Sequence, residues 1–126
     1  MGITIRVKRI YDDASRSDGF RILVDRLWPR GVSKEAARID LWAKSWCPSH
    51  DLRKWFHQNP SQEDELAERY RAELLENIDE VQSLMESLKD QEVLTLVTST
   101  KDLEKRHTAV LKRFLVTRWP TRESMD

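Results

Sequence analysis

The chain is poor in the residues that staple, break or loosen a fold. One cysteine, Cys47, stands among 126 residues, so no internal disulfide can form and a secreted disulfide scaffold is excluded. Three glycines and four prolines are too few for a collagen-like, linker-like or low-complexity chain. No apolar run reaches the roughly 18 residues of a membrane span. The opening MGITIRVKRIY lacks the uncharged apolar core of a secretion signal. Net charge is missing too, with 22 Lys and Arg against 22 Asp and Glu, which argues against coating nucleic acid through many phosphate contacts. The expectation is one soluble, cytoplasmic domain over residues 1–126, away from any membrane, with its last six residues frayed.

The charge that is present is unevenly spread. Residues 1–60 hold 12 basic and 7 acidic side chains, residues 61–92 hold 3 and 11, and residues 93–126 hold 7 and 4. If the two basic stretches meet in space they make a positive face, which can draw an anion to a protein of zero total charge.

Periodicity gives the elements. Ile3, Ile5 and Val7 alternate with Thr4, Arg6 and Lys8, the period-two signature of a strand with one buried face. After the turn-formers of residues 12–19 comes an apolar run from Phe20 to Leu27. Its consecutive Ile22, Leu23 and Val24 suit a strand covered on both sides. Trp28-Pro29-Arg30-Gly31 breaks it, because Pro29 keeps Trp28 out of helical dihedrals and Gly31 accepts positive φ. Ser33 and Ser49 are N-caps for helices beginning at the next residues, and Ser61, with Asp64 three residues on, reads as a third. Residues 39–60 otherwise look aromatic and irregular. Leu66, Tyr70 and Leu74, then Val81, Leu84, Met85 and Leu88, form two helical stripes. The β-branched run from Val93 to Val97 predicts a central strand. From Leu103 a helix presents His107, Val110, Leu111 and Phe114 on one face and ends near Val116. Strands joined through helices imply an α/β fold: a short, mostly parallel sheet of three strands flanked by helices. A homodimer is one way to extend or cover so thin a sheet.

In such folds ligands sit at the carboxyl ends of the strands, and two junctions there hold chemistry. The first runs from Asp25 through Arg26, Trp28 and Arg30. Two guanidiniums offer forked donors to a phosphate or carboxylate, Asp25 can orient one of them or act as a base, and Trp28 can wall a pocket. The same residues equally suit a buried Asp–Arg pair with Trp28 in the core. The second junction is Ser99-Thr100-Lys101-Asp102. Its hydroxyls, lysine and backbone N–H groups suit an anion, although it lacks the glycine-rich phosphate-loop pattern. Asp102 can serve there simply as a cap. His107 follows on the apolar helix face, as a core residue or as the partner base. Cys47 reads as a buried small residue rather than a nucleophile, and the tryptophans as a core cluster. His50 and His57 have no third ligand at telling spacing, so neither metal nor cofactor is expected.

The stretch from Val7 to Asp12, and above all Val24-Asp25-Arg26-Leu27-Trp28-Pro29-Arg30-Gly31, resembles the YeaO-like branch of the DUF488 family. So do Lys34, Asp40, Trp42, Pro48-Ser49, Leu52-Arg53, Trp55-Phe56, Arg69-Tyr70 and Lys101-Asp102. The resemblance covers nearly the whole chain. It implies a small bacterial or archaeal protein of one domain and of unassigned activity. One departure stands out. Where the family carries a His-Asn pair three residues after its Lys-Asp pair, this chain has Lys105 and Arg106, with its histidine one place later at His107. That position is about 100° further round a helix, which turns the imidazole toward the core.

Three functions remain in play. The first is an anionic, phosphate-bearing small molecule bound by Arg26, Trp28, Arg30, Ser99, Thr100 and Lys101, with proton transfer or hydrolysis assisted by Asp25 and His107. The second is a protein-interaction or structural domain without catalysis. The third is nucleic-acid binding along Lys8, Arg9, Arg16 and Arg53.

Overall fold

Alternating apolar residues at the amino terminus build the first strand, β1 (Thr4–Arg9), and the two apolar runs build β2 (Phe20–Leu23) and β4 (Val93–Thr98). The computed structural model of the protein describes residues 3–101 and 107–119. β4 is hydrogen-bonded on both sides, to β1 from Thr4↔Val93 to Arg9↔Thr98 and to β2 from Phe20↔Leu94 to Leu23↔Val97. It is therefore central, as its β-branched run predicts. A fourth strand, β3 (Leu41–Trp42), extends the sheet beside β2, giving the order β1-β4-β2-β3 with every pairing parallel. The three-strand expectation is corrected here. Two residues are too short to show a period, and β3 is fixed by pairing rather than by pattern.

The expected α/β class holds. α1 (Lys34–Ala37) crosses from β2 to β3, and α2 (His50–Gln58), α3 (Glu63–Glu76) and α4 (Ile78–Ser87) lead from β3 to β4. α5 (His107–Arg118) lies against α3 and β1. Ser33 Oγ accepts from the Ala36 N–H and Ser49 Oγ from the Leu52 N–H, so both serines cap as expected. Ser61 does not cap α3. The Gln62 N–H closes a turn on the Asn59 carbonyl, which moves the N-cap position to Gln62 and leaves Ser61 exposed in the turn. The expected fraying of residues 121–126, the cap at Asp102 and the face position of Leu103 fall outside the described residues.

Two apolar clusters sandwich the sheet. On one face Ile5, Ile22, Val24, Leu94 and Leu96 meet the helices through Leu66, Tyr70, Leu74, Val81, Leu111 and Leu115. On the other, Leu23 and Val97 meet Ile10 and Ala37, with Trp28, Val32, Ile39 and Trp42 packed against them. Ile22, Leu23 and Val24 have no solvent-accessible surface, which explains an apolar run without alternation. Beside this second cluster a polar network closes the sheet. Asp18 pairs with Arg21 and Lys8, and the Arg21 guanidinium also donates to the Ala37 carbonyl. Gly19 sits at φ 64° against Val93, where a Cβ would lie 2.5 Å from the Val93 carbonyl oxygen.

Among the described residues no helix is long and apolar enough to cross a membrane.

Candidate functional site

β2 and β4 run side by side and stop at the same level, so the segments leaving them face each other. Val24 keeps the pairing one step further by donating its N–H to the Val97 carbonyl, and the chain then turns outward at Asp25. Gly31, at φ 78°, ends the outward loop as its position predicts. Between this loop, the Thr98–Thr100 turn, α2 and α5 lies a cleft of about 590 Å³. The two distant junctions therefore meet at one cleft.

Asp25 and His107 are its floor. Each oxygen of the Asp25 carboxylate has two donors. Thr98 Oγ1 (2.6 Å) and His107 Nε2 (3.2 Å) approach Oδ1, while the Ser99 N–H and Ser99 Oγ, both at 2.8 Å, approach Oδ2. Burial works against the charge. The hydrogen bond and positive charge of His107, with Thr98 and the Ser99 N–H, outweigh it and hold the carboxyl below its ordinary value. His107 Nε2 also lies 3.1 Å from the Val24 carbonyl. Both of its neighbours only accept, so Nε2 carries a hydrogen and any lone pair sits on Nδ1. The ring is half-buried, edge-on to Tyr70 at 6.1 Å. His107 is thus not a plain core residue. It is a cleft wall pinned by a carboxylate.

The Thr98–Thr100 turn differs from its sequence reading. Most of its donors are spent inside the protein: Thr98 Oγ1, the Ser99 N–H and Ser99 Oγ serve Asp25, and the Thr100 N–H is donated to Thr98 Oγ1. Ser99 and Thr100 line the cleft, whereas Lys101 is exposed and does not.

The cations come from elsewhere. Arg26 lines the cleft with its Nε donated to the Pro48 carbonyl, which leaves its two terminal nitrogens uncommitted among the described residues. Arg30 is exposed at the rim, and Arg53 enters from α2. Neither has a side-chain partner among the described residues. The backbone of Arg30 is held by the Tyr11 hydroxyl, and Tyr11 in turn carries the Arg9 guanidinium over its ring, whose Nε donates to the Thr100 carbonyl. Trp28, Leu52, Phe56 and Leu66 make the apolar walls. Trp28 is fixed by an Nε1 hydrogen bond to the Val32 carbonyl and an edge contact with Trp42, so it serves both the wall and the second core cluster.

Sequence reasoning missed the contribution of α2 to this cleft. The signal was present. Once Ser49 sets the start of α2, Leu52, Arg53, Phe56 and His57 fall at spacings of one, four and five on one face, and that face lines the cleft. His50 points elsewhere. Cys47 is buried, its thiol donates to the Ala43 carbonyl, and burial pushes it up to about 12, which removes it as a nucleophile. Trp46 is fully buried against Trp119, as a core tryptophan should be. No cluster of metal ligands forms among the described residues.

A parallel sheet with an apolar-walled cleft lined by Arg26, Arg30 and Arg53 at its carboxyl ends defines a small α/β protein with a strand-end cleft. The chain belongs to the DUF488-N3i family, described as the inactive DUF488-N3 subclade, whose model matches residues 4–126. It is 43% identical over 113 residues to the uncharacterised protein YeaO of Escherichia coli, a match covering 90% of this chain and 97% of that one. It is 40% identical over 111 residues to the uncharacterised protein Rv3073c of Mycobacterium tuberculosis, covering 88% of this chain and 92% of the relative. No solved structure matches it.

Proposed function

We propose that the protein binds an anionic small molecule, carrying a phosphate or carboxylate on an apolar or planar body, and does not transform it. The carrying observation is an imbalance of uncommitted charge. Arg26, Arg30 and Arg53 face one cleft, while its sole carboxylate among the described residues, Asp25, is already met by four donors. Guanidinium forks suit phosphate and carboxylate oxygens, and Trp28 and Phe56 offer flat apolar faces beside them. The absence of turnover is supported by the same geometry. Asp25 has no lone pair left for a substrate proton, each of its oxygens being met by two donors. The description of the family as an inactive subclade agrees. A cytoplasmic location fits a free, buried Cys47.

Nucleic-acid binding has less support, because cations of β1 are engaged internally: Lys8 with Asp18, and Arg9 with the Thr100 carbonyl.

Calorimetric titration against nucleotides, sugar phosphates and dicarboxylates tests this reading. A ligand should bind with an affinity that falls about 10- to 100-fold in Arg30→Ala, the size of a lost charge-assisted hydrogen bond. The melting temperature should be unchanged, since Arg30 is exposed. Equal affinity in the two proteins, or no binding across the panel, refutes it.

A further inference from the structure

The strand-end turn that ordinarily receives a ligand's anion already holds one. We propose that the Thr98–Ser99 turn is a carboxylate-binding cradle whose occupant is the protein's own Asp25, and that Asp25 thereby sets specificity by shutting external anions out of the strand ends. This goes beyond the arginine cleft and stands or falls separately from it.

The contacts are those of a bound ligand. A planar carboxylate lies with one oxygen between Thr98 Oγ1 and His107 Nε2 and the other between the Ser99 N–H and Ser99 Oγ, at 2.6 to 3.2 Å. Four donors match the four lone-pair directions of a carboxylate. The occupant arrives from a segment 73 residues earlier in the chain, at the end of the neighbouring strand, so the cradle and its anion are separate pieces brought together by folding. The segments flanking Ser99 are also held by contacts other than Asp25: the Thr100 N–H is donated to Thr98 Oγ1, the Thr100 carbonyl accepts from Arg9 Nε, and His107 Nε2 also meets the Val24 carbonyl. β4 is held by β1 and β2, and the Ile10 N–H is donated to the Thr98 carbonyl. Removing the carboxyl group therefore leaves a preformed site at the cleft floor, lined by donors and open to small anions. It also explains where the free cations lie. With the strand-end donors already taken by Asp25, the floor offers an incoming anion no free cradle, and the anion is left to the arginines.

Chemical rescue tests it. Asp25→Ala should be destabilised, and formate should raise its melting temperature saturably by about 3 °C or more. The effect should far exceed that of chloride at equal ionic strength. Wild type should show no such response, because its cradle is full. In Asp25→Ala combined with Thr98→Val and Ser99→Ala the formate effect should vanish. Asp25→Gly, one carbon shorter, should respond better to acetate. Should Asp25→Ala fail to fold, Asp25→Ser, which keeps a short acceptor, carries the same titration. A formate response no larger than that of chloride, or one equally strong in wild type, overturns the proposal. Failure of the calorimetric panel with wild type, while formate still rescues the variant, removes the arginine-cleft reading and leaves the cradle intact.

Discussion

Lowering the pH of the wild type and of Asp18→Asn in parallel isolates one buried ion pair. The Asp18 side chain is 6% exposed and that of Arg21 is 4% exposed, with 2.6 Å between Oδ2 and Nη1. Burial opposes ionisation of Asp18. The Ser15 N–H, Lys8, Arg21 and the Ser15 hydroxyl overcome it and bring the carboxyl from 3.8 down to about 2. The folded protein thus holds this proton more weakly than the unfolded chain. The resulting stability is complete above pH 3.8 and disappears as pH falls toward 2. At 1.36 kcal/mol per pH unit it amounts to about 2 kcal/mol. At pH 6, Asp18→Asn should cost more than that, about 3 to 5 kcal/mol, because it strands the Arg21 cation in a site that its hydrogen bonds to the Ala37 carbonyl do not neutralise. Urea denaturation at steps from pH 6 to pH 2 reads the difference between the two proteins. Asp25, whose carboxyl is also lowered, titrates in both and cancels. The gap should hold from pH 6 to about pH 4 and then narrow by about 2 kcal/mol. A gap that stays constant to pH 2 would refute the claim that Asp18 is ionised in the folded protein because of its partners.

Two further outcomes follow from local geometry. Gly19→Ala should cost about 2 to 4 kcal/mol in urea denaturation, combining a left-handed backbone with a Cβ 2.5 Å from the Val93 carbonyl oxygen; a cost under about 0.5 kcal/mol would mean that the β2 entrance can shift freely. Cys47 should resist a thiol reagent at pH 8 in the folded protein and react only on denaturation, since its thiol is buried and raised to about 12; labelling at the rate of an exposed cysteine would contradict that burial.

Much of the fold was legible where one residue pattern answers to one neighbour. Ile3 and Ile5 alternate because only one face of β1 meets the helices, while Ile22-Leu23-Val24 does not alternate because both faces of β2 are covered. Ser33 and Ser49 cap because each is followed directly by helical backbone that needs an acceptor. Ser61 has the same signature and fails, because the turn closed on the Asn59 carbonyl delays the helix by one residue and puts Gln62 at the N-cap position. β3 was invisible because its two residues are held by β2 and not by any period of their own. The cleft was half legible. Both junctions carry rare residues, and the parallel strand ends bring them together. The donors of the Thr98–Thr100 turn were visible too, but not that Asp25 consumes them, because that pairing depends on β2 and β4 ending at one level.

The charge pattern carries the same lesson to function. Counting residues 1–60 as a basic block treats its 12 cations as equivalent, yet they divide by partner. Lys8 and Arg21 neutralise Asp18, Arg6 donates to the Ser17 carbonyl and Arg9 to that of Thr100. These hold the sheet and its loops together and contribute little free field. Arg30 and Arg53 have no such partner among the described residues, Arg26 is only partly tied, and all three line the cleft. On the opposing side Asp25 is saturated. The potential at the cleft therefore comes from Arg26, Arg30 and Arg53 and not from the basic block as a whole. It follows that salt should weaken ligand binding only modestly, in proportion to the two or three charges that line the cleft.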